Sequence, residues 1–270
     1  FSDLKNFLDG HEGSCSFHFL LANSFTRMLI GWQKKDYSQI QVTHSNFDYS
    51  VHETDFVFES NKFAYMTIPN IKLASKKTKV VVYPDRSIGN YFLKTKNLKE
   101  KKLPEKIYSF YTDEKEVKFF REDGHLPSRI VTAIQIESNS DNIIPAECSL
   151  GSCHVKVPPK RFHWGIWSAK FNSDIIIGLK SIDIYGDPID SIICLRLYNQ
   201  KNVQIHEIIL NWGKISINNL CANLKLEDFF DDSLIDKDDF MYVSLFSHYG
   251  GFIVYTTLQK GDSITLEHTF

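Results

Sequence analysis

The sequence feature that most constrains the fold is a period-two alternation of apolar and polar residues, which recurs along much of the chain. It is clearest near the C-terminus, where Ile264, Leu266 and His268 alternate with polar residues and so share one face of a predicted strand. Glycine-containing turns at 250–251 and 261–262 separate this run from two earlier β-rich runs. The pattern predicts an antiparallel meander at this end of the chain.

Short runs of the same kind predict an all-β protein, built as an antiparallel, jelly-roll-like β-sandwich. The length of 270 residues suits either one large sandwich or two, divided as 1–125 and 126–270 with the boundary between 121 and 142. Regular short strands argue against parallel βαβ units. We also expect one or two short helices, the clearest at 219–230, where apolar residues recur at helical spacing.

Residues 94–118 differ from the rest of the chain because lysines crowd them, with glutamates in between. A mixed-charge run is usually solvated, so we predict a partly extended excursion on the surface. An anion-binding edge is the alternative, and the interleaved acids weaken it because they cancel the local field. Aromatic residues at 108–120 must still be buried, so the segment is not a simple linker.

Two segments, 32–47 and 255–270, resemble each other. In each, a turn with Lys and Asp leads into an alternating strand that ends in a histidine and a hydroxyl residue, at His44 and at His268. The similarity indicates either an old duplication or the chance recurrence of alternating strands in a β protein. The sequence leaves both interpretations open.

The composition limits the partners and the compartment. A net charge of -2 gives no long-range attraction to nucleic acid or to an anionic membrane, so neither is an expected partner. The number of cysteines is odd, which argues against a disulfide framework, and we expect a cytoplasmic protein with reduced thiols. A leader removed before maturation would leave no trace in this sequence.

The run 158–167 has the most distinctive composition, because prolines, basic residues and tryptophans lie close together. As a strand it carries Arg161, His163 and Trp167 on one face, which we predict to be exposed and to bind ligand. An indole beside fixed hydrogen-bond donors suits a sugar ring, which stacks on the aromatic face. A tryptophan packed under a loop is the alternative. The opposite face, predicted to be core, carries Phe162, Trp164 and Ile166.

Further candidates lie at predicted strand ends, where a rigid scaffold holds binding residues. His248 and Tyr249 are predicted to contribute to ligand binding there. His44, His268 and Glu267 are candidate catalytic residues, because histidine titrates near neutral pH and a carboxylate can orient it. Adjacent strand residues face opposite ways, so Glu267 and His268 cannot act together directly.

His44, Asp48 and His52 are the candidate metal ligands, because two imidazoles and a carboxylate are suitable donors for zinc or iron. An extended strand would separate residues four apart by about 13 Å, so a shared ion requires a turn between them. Polar loop residues are the alternative interpretation. We therefore expect no cofactor and keep a divalent metal as the alternative.

The sequence contains no nucleophile elbow, no phosphate-binding glycine-rich loop and no dinucleotide fingerprint. We predict a non-enzymatic binding module that recognises a glycan or another polar small molecule through loops and an exposed aromatic face. One alternative is a saccharide-acting enzyme of hydrolase or lyase type, with His, Asp and Glu from strand ends. A second alternative is an assembly or protein-interaction module whose strand edges pair, for example in a homo-oligomer.

Overall fold

The computed structural model of the protein is an antiparallel all-β structure, which confirms the predicted fold class. Every strand pair among the described residues is antiparallel. The described residues are 29–36, 38–44, 64–68, 77–82, 91–95, 101–102, 107–114, 116–121, 129–137, 140, 142–153, 162–179, 186–217 and 221–268.

The described chain consists mainly of short strands. In the first part these are β1 (Leu29–Gln33), β2 (Ile40–His44), β3 (Ala64–Thr67), β4 (Lys77–Val82), β5 (Tyr91–Lys94), β6 (Lys101–Lys102), β7 (Tyr108–Thr112), β8 (Glu116–Arg121), β9 (Arg129–Glu137) and β10 (Ala146–Cys153). In the second part they are β11 (Phe162–Trp167), β12 (Asp174–Leu179), β13 (Ile192–Tyr198), β14 (Gln204–Asn211), β15 (Cys221–Leu224), β16 (Met241–Ser247), β17 (Phe252–Lys260) and β18 (Ser263–His268). The helical segments are a single α-turn, α1 (Trp212–Ile215), and 3-10 turns at Ala169–Phe171, Leu226–Asp228 and Asp232–Leu234.

The strands pair into four four-stranded sheets and one two-stranded sheet, β1-β2. Sheet I has the order β3-β8-β5-β6, and sheet II has the order β10-β9-β4-β7. Sheet III has the order β11-β16-β13-β14, and sheet IV has the order β15-β12-β17-β18. We call sheets I and II, within residues 64–153, the first unit, and sheets III and IV, within residues 162–268, the second unit.

The two units share one strand order. If β3 to β10 are numbered 1 to 8, sheet I becomes 1-6-3-4 and sheet II becomes 8-7-2-5. If β11 to β18 are numbered in the same way, sheet III becomes 1-6-3-4 and sheet IV becomes 5-2-7-8, the same order as sheet II from its other edge. Eight strands can be arranged in very many ways, so this agreement supports a duplication.

The two similar sequence segments do not fall on corresponding elements of this repeated order, because β1 and β2 precede the first unit. β17 and β18 are the last two strands of the second unit and form a hairpin, as β9 and β10 do in the first unit. β1 and β2 form a hairpin of the same kind. The predicted turn at 261–262 is confirmed, and Gly261 supplies the left-handed conformation, with φ 56°, that a two-residue hairpin turn requires.

The second unit has a hydrophobic core between its two sheets. Trp167, Leu195 and Val243 of sheet III meet Ile177 and Val254 of sheet IV there, and all five are buried. Every side chain in this cluster comes from residues of the second unit. The alternation of each strand therefore places its apolar face against the facing sheet, as in a β-sandwich.

The core of the first unit is different because it extends into the second unit. Its own strands contribute residues such as Leu93, Phe119 and Ile134. Side chains of the second unit complete the cluster, namely Ile176, Tyr255, Ile264 and Leu266. The predicted shared face of β18 is therefore the face that packs against the first unit.

Residues 94–118 are not a surface excursion, so that prediction is wrong. Strands β5 to β8 all include residues of this segment, and Val117 is fully buried. The run Val117-Lys118-Phe119 alternates between core and surface, as a strand with one buried face should. The many charged residues of this segment made the alternation hard to recognise in the sequence.

Sheet membership changes between Cys153 and Phe162. The predicted boundary at 121–142 crosses β9, which pairs with β4 on one side and β10 on the other. The division into two domains stays a prediction, and the strand pairing favours a boundary after Cys153.

Two local predictions near the C-terminus are wrong. β16 and β17 lie in different sheets, so the predicted meander is a hairpin only between β17 and β18. The chain crosses between sheets at Gly251, where a Cβ atom would lie 2.7 Å from the ring of Tyr249. The predicted helix at 219–230 contains β15 and one 3-10 turn, because β15 pairs with β12 and this pairing overrides helical spacing.

Candidate functional site

One side of sheet III packs on the second core, and the opposite side, here called the outer face, is partly exposed to solvent. Directly paired residues on neighbouring strands share a face. The central row across the outer face therefore consists of Trp164, Ser244, Arg196 and Glu207, one from each strand. At a strand spacing of about 4.8 Å, this row extends over about 14 Å.

Two rows of mainly apolar and aromatic residues flank the central row. One consists of Phe162, Phe246, Cys194 and Ile209, and the other of Ile166, Tyr242, Tyr198 and Gln204. Several large side chains of this face are exposed, namely Trp164, Ile166, Ile192, Ile209 and Tyr242. Contiguous apolar surface of this kind marks interaction sites in proteins.

The aromatic rings of the outer face form a continuous platform around Trp164. The ring centroid of Trp164 lies 5.2 Å from that of Phe162 and 5.0 Å from that of Tyr198. Trp164 belongs to β11 and Tyr198 to β13, so the two rings meet over the intervening strand β16. They can do so because β16 carries the small Ser244 at this position. Trp164 remains 41% exposed.

Ser244 is the unusual residue of this face. Its side chain is only 1% exposed, and its Oγ atom has no hydrogen-bond partner among the described residues. A buried hydroxyl without a partner costs about 1–3 kcal/mol of stability, so such groups are rare in folded proteins. The hydroxyl lies below the aromatic platform, beside Arg196, where a polar group of a ligand could satisfy it.

Arg196 and Glu207 supply fixed charges at the other end of the row. Arg196 Nε donates to Glu207 Oε2 at 2.6 Å. The bond from Arg196 holds the pKa of Glu207 below its usual range, and it raises the pKa of Arg196. Burial, and then the Glu207 carboxylate, raise the pKa of the neighbouring Cys194 thiol. At neutral pH this part of the outer face therefore presents a guanidinium and a carboxylate in the central row and a protonated thiol in the row beside it.

The described residues of β11 share faces as predicted, but the prediction of which face is exposed is wrong. Trp167 is 0% exposed, and its Nε1 atom donates to the Ser173 carbonyl at 3.1 Å. His163 is also buried, whereas Trp164 and Ile166, both predicted to be core, are exposed. Both faces of this strand carry aromatic residues, so alternation predicts which residues share a face but not which face is buried. Arg161 lies outside the described residues.

The two predicted strand-end residues have different environments. His248 is exposed, and its ring centroid lies 5.3 Å from that of Phe246, which belongs to the outer face. Tyr249 is half-buried, packs against Phe252 in the second core and donates its hydroxyl to the Gly186 carbonyl. The structure thus brings His248 to the margin of the outer face and gives Tyr249 contacts in the core.

The candidate catalytic residues of β18 lie at the contact between the units. His268 Nδ1 is 3.3 Å from the Sγ atom of Cys148. Glu267 is on the opposite face of β18, as predicted, and burial raises the pKa of its carboxyl. Burial, and then Glu267, raise the pKa of the Cys148 thiol well above its usual range. Because only a thiolate is a strong nucleophile, this Cys–His pair is not an activated nucleophile.

The candidate metal ligands are the third group of predicted site residues. Asp48, His52 and the side chain of His44 lie outside the described residues. Within the segments that the structure describes, no three His, Cys, Asp or Glu side chains are grouped as metal ligands. A divalent metal stays a prediction for that cluster.

Within the same segments, no helix is both long enough and apolar enough to cross a bilayer.

Comparison with known proteins adds no identification. No family model matches the chain, and neither curated proteins nor solved structures provide a match.

Proposed function

We propose that the protein is a non-enzymatic binding module that recognises a glycan on the outer face of sheet III. The observation that carries this proposal is the buried Ser244 hydroxyl, without a partner among the described residues, under an exposed aromatic platform. A protein that needed this position only for packing would do better with alanine, because no hydrogen bond offsets the burial of the hydroxyl.

The chemistry of the row suits a sugar ring. The C–H face of a sugar stacks on Trp164, as aromatic platforms permit. Its hydroxyls can accept from Arg196 and donate to Glu207, which are held in place by their mutual bond. The two charges compensate each other, so the row favours a neutral sugar over an acidic one.

Trp164 lies directly opposite the buried Ser244 and is 41% exposed. Exposed side chains change rotamer within nanoseconds, so a rotamer change of Trp164 can open access to the Ser244 hydroxyl. Binding thus requires no movement of the strands. The second core, which holds Trp167 from the other side of the same strand, stays packed.

The experiment is a glycan panel followed by titration of any binder against wild-type protein, Trp164→Ala and Phe240→Ala. Phe240 is the matched control, because it is an aromatic residue of the second unit that is 40% exposed and outside the outer face. We expect Trp164→Ala to weaken binding by about tenfold or more, as the loss of a central aromatic contact does. Phe240→Ala should bind like the wild type.

Two outcomes would contradict the proposal: no glycan of the panel binds, or Trp164→Ala binds as tightly as Phe240→Ala does. Thermal unfolding of both variants distinguishes a variant that binds more weakly from one that is no longer folded. Trp164 is 41% exposed and its ring contacts Phe162 and Tyr198, so Trp164→Ala should unfold at a lower temperature than the wild type but in one cooperative transition above the titration temperature.

The exposed isoleucines of the same face favour a second candidate function, a protein-interaction surface. Ile192 and Ile209 are 48% and 61% exposed, and contiguous exposed apolar surface marks protein-interaction sites. Light scattering after size-exclusion chromatography tests self-association, with Ile192→Lys and Ile209→Lys as variants. An oligomer that both variants dissociate would support this candidate, and a wild-type monomer would remove a homo-oligomer from consideration.

A further inference from the structure

Strand β14 is an edge strand of sheet III and pairs with β13 on one side. Among the described residues, no strand pairs with its other side, here called the free edge. β14 has 8 residues and contains no Lys, Pro or Gly. The register shift at Leu197 and Tyr198 affects only its beginning, so residues 206–211 form a regular ladder. Natural edge strands are commonly protected by shortness, lysine, proline, a bulge or a covering element, so this edge is unusual.

The other sheet edges of the described chain differ from the free edge of β14. β3, β6, β7 and β15 have five residues or fewer. β10 and β18 are longer, but they pack against each other at the contact between the units. β11, at the opposite edge of sheet III, has 6 residues and contains Gly165, which weakens a strand. β14 is therefore the long edge that neither its sequence nor the described structure protects.

A hydrogen bond beyond the end of β14 shows which of its backbone groups point to the free edge. Trp212 N donates to the Ser191 carbonyl at 2.9 Å, one step beyond the register of β13 and β14. Hydrogen-bonded and non-bonded pairs alternate along an antiparallel ladder. The N–H and C=O groups of Glu207 and Ile209 therefore point away from β13, as does the N–H group of Asn211. The ladder gives these groups no partner, and none of the further backbone bonds of the described chain involves them.

Apolar side chains lie on both sides of β14 beside these open backbone groups. Ile209, on the outer face of sheet III, is 61% exposed. Ile208 and Leu210, on the opposite side, pack on the second core but are only half-buried. A strand added along the free edge would cover all three side chains and bind the open backbone groups. This combination is typical of contacts formed by strand addition.

We propose that a second copy of this chain occupies the free edge, so that the β14 strands of two copies pair antiparallel about a two-fold axis. Such a contact requires a self-complementary strand, because each residue meets a residue of the same segment. With the axis at Ile209, this residue is directly opposite its own copy, and Ile208 is opposite Leu210 of the second copy. Glu207 is then opposite Asn211 of the second copy, so no like charges meet.

The same register also aligns the open backbone groups. Ile209 and its copy point their N–H and C=O groups at each other, as a hydrogen-bonded pair of an antiparallel ladder does. The N–H group of Asn211 meets the C=O group of Glu207 of the second copy. The two copies of sheet III then form one continuous sheet, in which β14 is no longer an edge.

Other registers of the same pairing are less favourable. Directly paired residues must share a face, so the two-fold axis has to pass through a residue. An axis at Glu207 places two carboxylates opposite each other, and an axis at Ile208 places Glu207 opposite the apolar Ile209. An axis at Leu210 shortens the paired segment. An unrelated peptide needs no self-complementary strand, so the match of β14 to itself favours a second copy.

This inference does not depend on the sugar site, and it goes beyond the second candidate function because it names the strand and the partner. Sedimentation velocity at about 1 to 100 μM protein is the measurement, since a contact one strand wide should have a micromolar dissociation constant. Ile209→Pro is the variant, because proline lacks the N–H group and is tolerated in an edge strand where that group points away from the sheet.

Ile166→Pro is the matched control. Ile166 is 46% exposed and belongs to β11, at the opposite edge of the same sheet. The alternation that continues from β13 through β16 directs its N–H group away from the sheet as well. The two variants thus make the same chemical change at the two edges of sheet III.

We expect the wild type to show a reversible equilibrium between monomer and dimer without larger species, because two-fold pairing closes the contact. Ile209→Pro should weaken dimerisation by at least about tenfold, since the two backbone hydrogen bonds at the axis are lost. Ile166→Pro should dimerise like the wild type. Trp164→Ala should do so too, because the sugar site is separate from the free edge.

Hydrogen exchange gives a second readout that is specific to the register. The amide hydrogens of Glu207, Ile209 and Asn211 should exchange more slowly as the protein concentration rises. Those of Ile208 and Leu210 should be protected at every concentration, because they already bind β13. Concentration-dependent protection without this alternation would contradict the proposed pairing.

A wild-type monomer at every concentration would overturn the inference, as would equal effects of Ile209→Pro and Ile166→Pro. A dimer that Ile192→Lys dissociates and Ile209→Pro does not would also overturn it, because the contact would then use the outer face. If thermal unfolding shows that Ile209→Pro is not folded, Ile209→Lys is the test variant. Its lysine would lie opposite its own copy at the axis, and like charges there oppose pairing.

Discussion

The first and second units have the same strand order, yet they differ in both core and surface. The second core is built from residues of the second unit alone, whereas the first core includes Ile176, Tyr255, Ile264 and Leu266 from its neighbour. The side of sheet III that faces away from its core carries exposed aromatic and aliphatic side chains, whereas the corresponding side of sheet I has Lys94 directly opposite Lys118. The two units thus share a strand order although their cores and surfaces differ in composition.

The largest expected effect tests the independence of the second core. Trp167→Ala removes one of its two fully buried tryptophan side chains and the hydrogen bond to Ser173, so it should cost about 3–5 kcal/mol of unfolding free energy. Hydrogen exchange should show both units opening, because the second unit completes the first core. Phe119→Ala is the matched variant in the first unit, and its loss of protection should stay within sheets I and II. Loss of protection in sheets III and IV as well would show that the two cores are mutually dependent.

A smaller effect tests the contact between the units. Leu266→Ala truncates a side chain of β18 that is buried in the first core, so denaturant unfolding should show a loss of about 2–4 kcal/mol. Thr265→Ala, on the exposed side of the same strand, should change stability by less than about 0.5 kcal/mol. Equal effects of the two variants would mean that β18 does not pack on the first unit in the way described.

Ser244→Ala separates a binding role from a structural one. Removal of a buried hydroxyl that has no partner among the described residues should leave stability unchanged or raise it slightly. For a glycan whose binding is weakened by Trp164→Ala, Ser244→Ala should nevertheless lower the affinity by about tenfold, as expected for the loss of one hydrogen bond. A clear loss of stability, measured by thermal unfolding, would indicate that the hydroxyl has a structural partner.

The smallest expected effect is the pH dependence of the ion pair. The pKa of Glu207 is lowered in the folded protein, so the pair contributes fully above the ordinary carboxylate range and is lost as the pH falls through the lowered pKa. Because the pair is on the surface, the wild type should lose only a small part of its stability in this range. Glu207→Gln should remove that part of the acid dependence, which parallel thermal unfolding at pH 3 to 7 would measure. An unchanged pH profile would leave the ion pair without a role in stability.

Much of the fold can be predicted from the sequence, because alternation and turn residues act locally. The hairpin at 261–262 and the shared face of Ile264, Leu266 and His268 are of this kind. The strands within 94–118 escape prediction because surface lysines dominate the composition of half-buried strands. The pairing of β9 with β4 cannot be predicted from local sequence patterns, because it joins segments that are far apart in the chain.

The candidate site is less predictable than the fold. Prolines, basic residues and tryptophans mark β11 in the sequence as a strand of the proposed site, but both of its faces are aromatic and only packing decides which is buried. Ser244 gives no signal in the sequence, because a serine within an apolar strand is common. Its significance depends on Trp164 and Arg196, which belong to two other strands.

The most direct test of the sugar site is to follow the indole N–H signals of the four tryptophans by NMR during titration with a bound glycan. Binding on the outer face of sheet III predicts that the Trp164 signal shifts in proportion to occupancy, while the signals of the buried Trp167 and Trp212 stay in place. A bound glycan that leaves the Trp164 signal unchanged would contradict the account, since its binding site would then lie elsewhere on the protein.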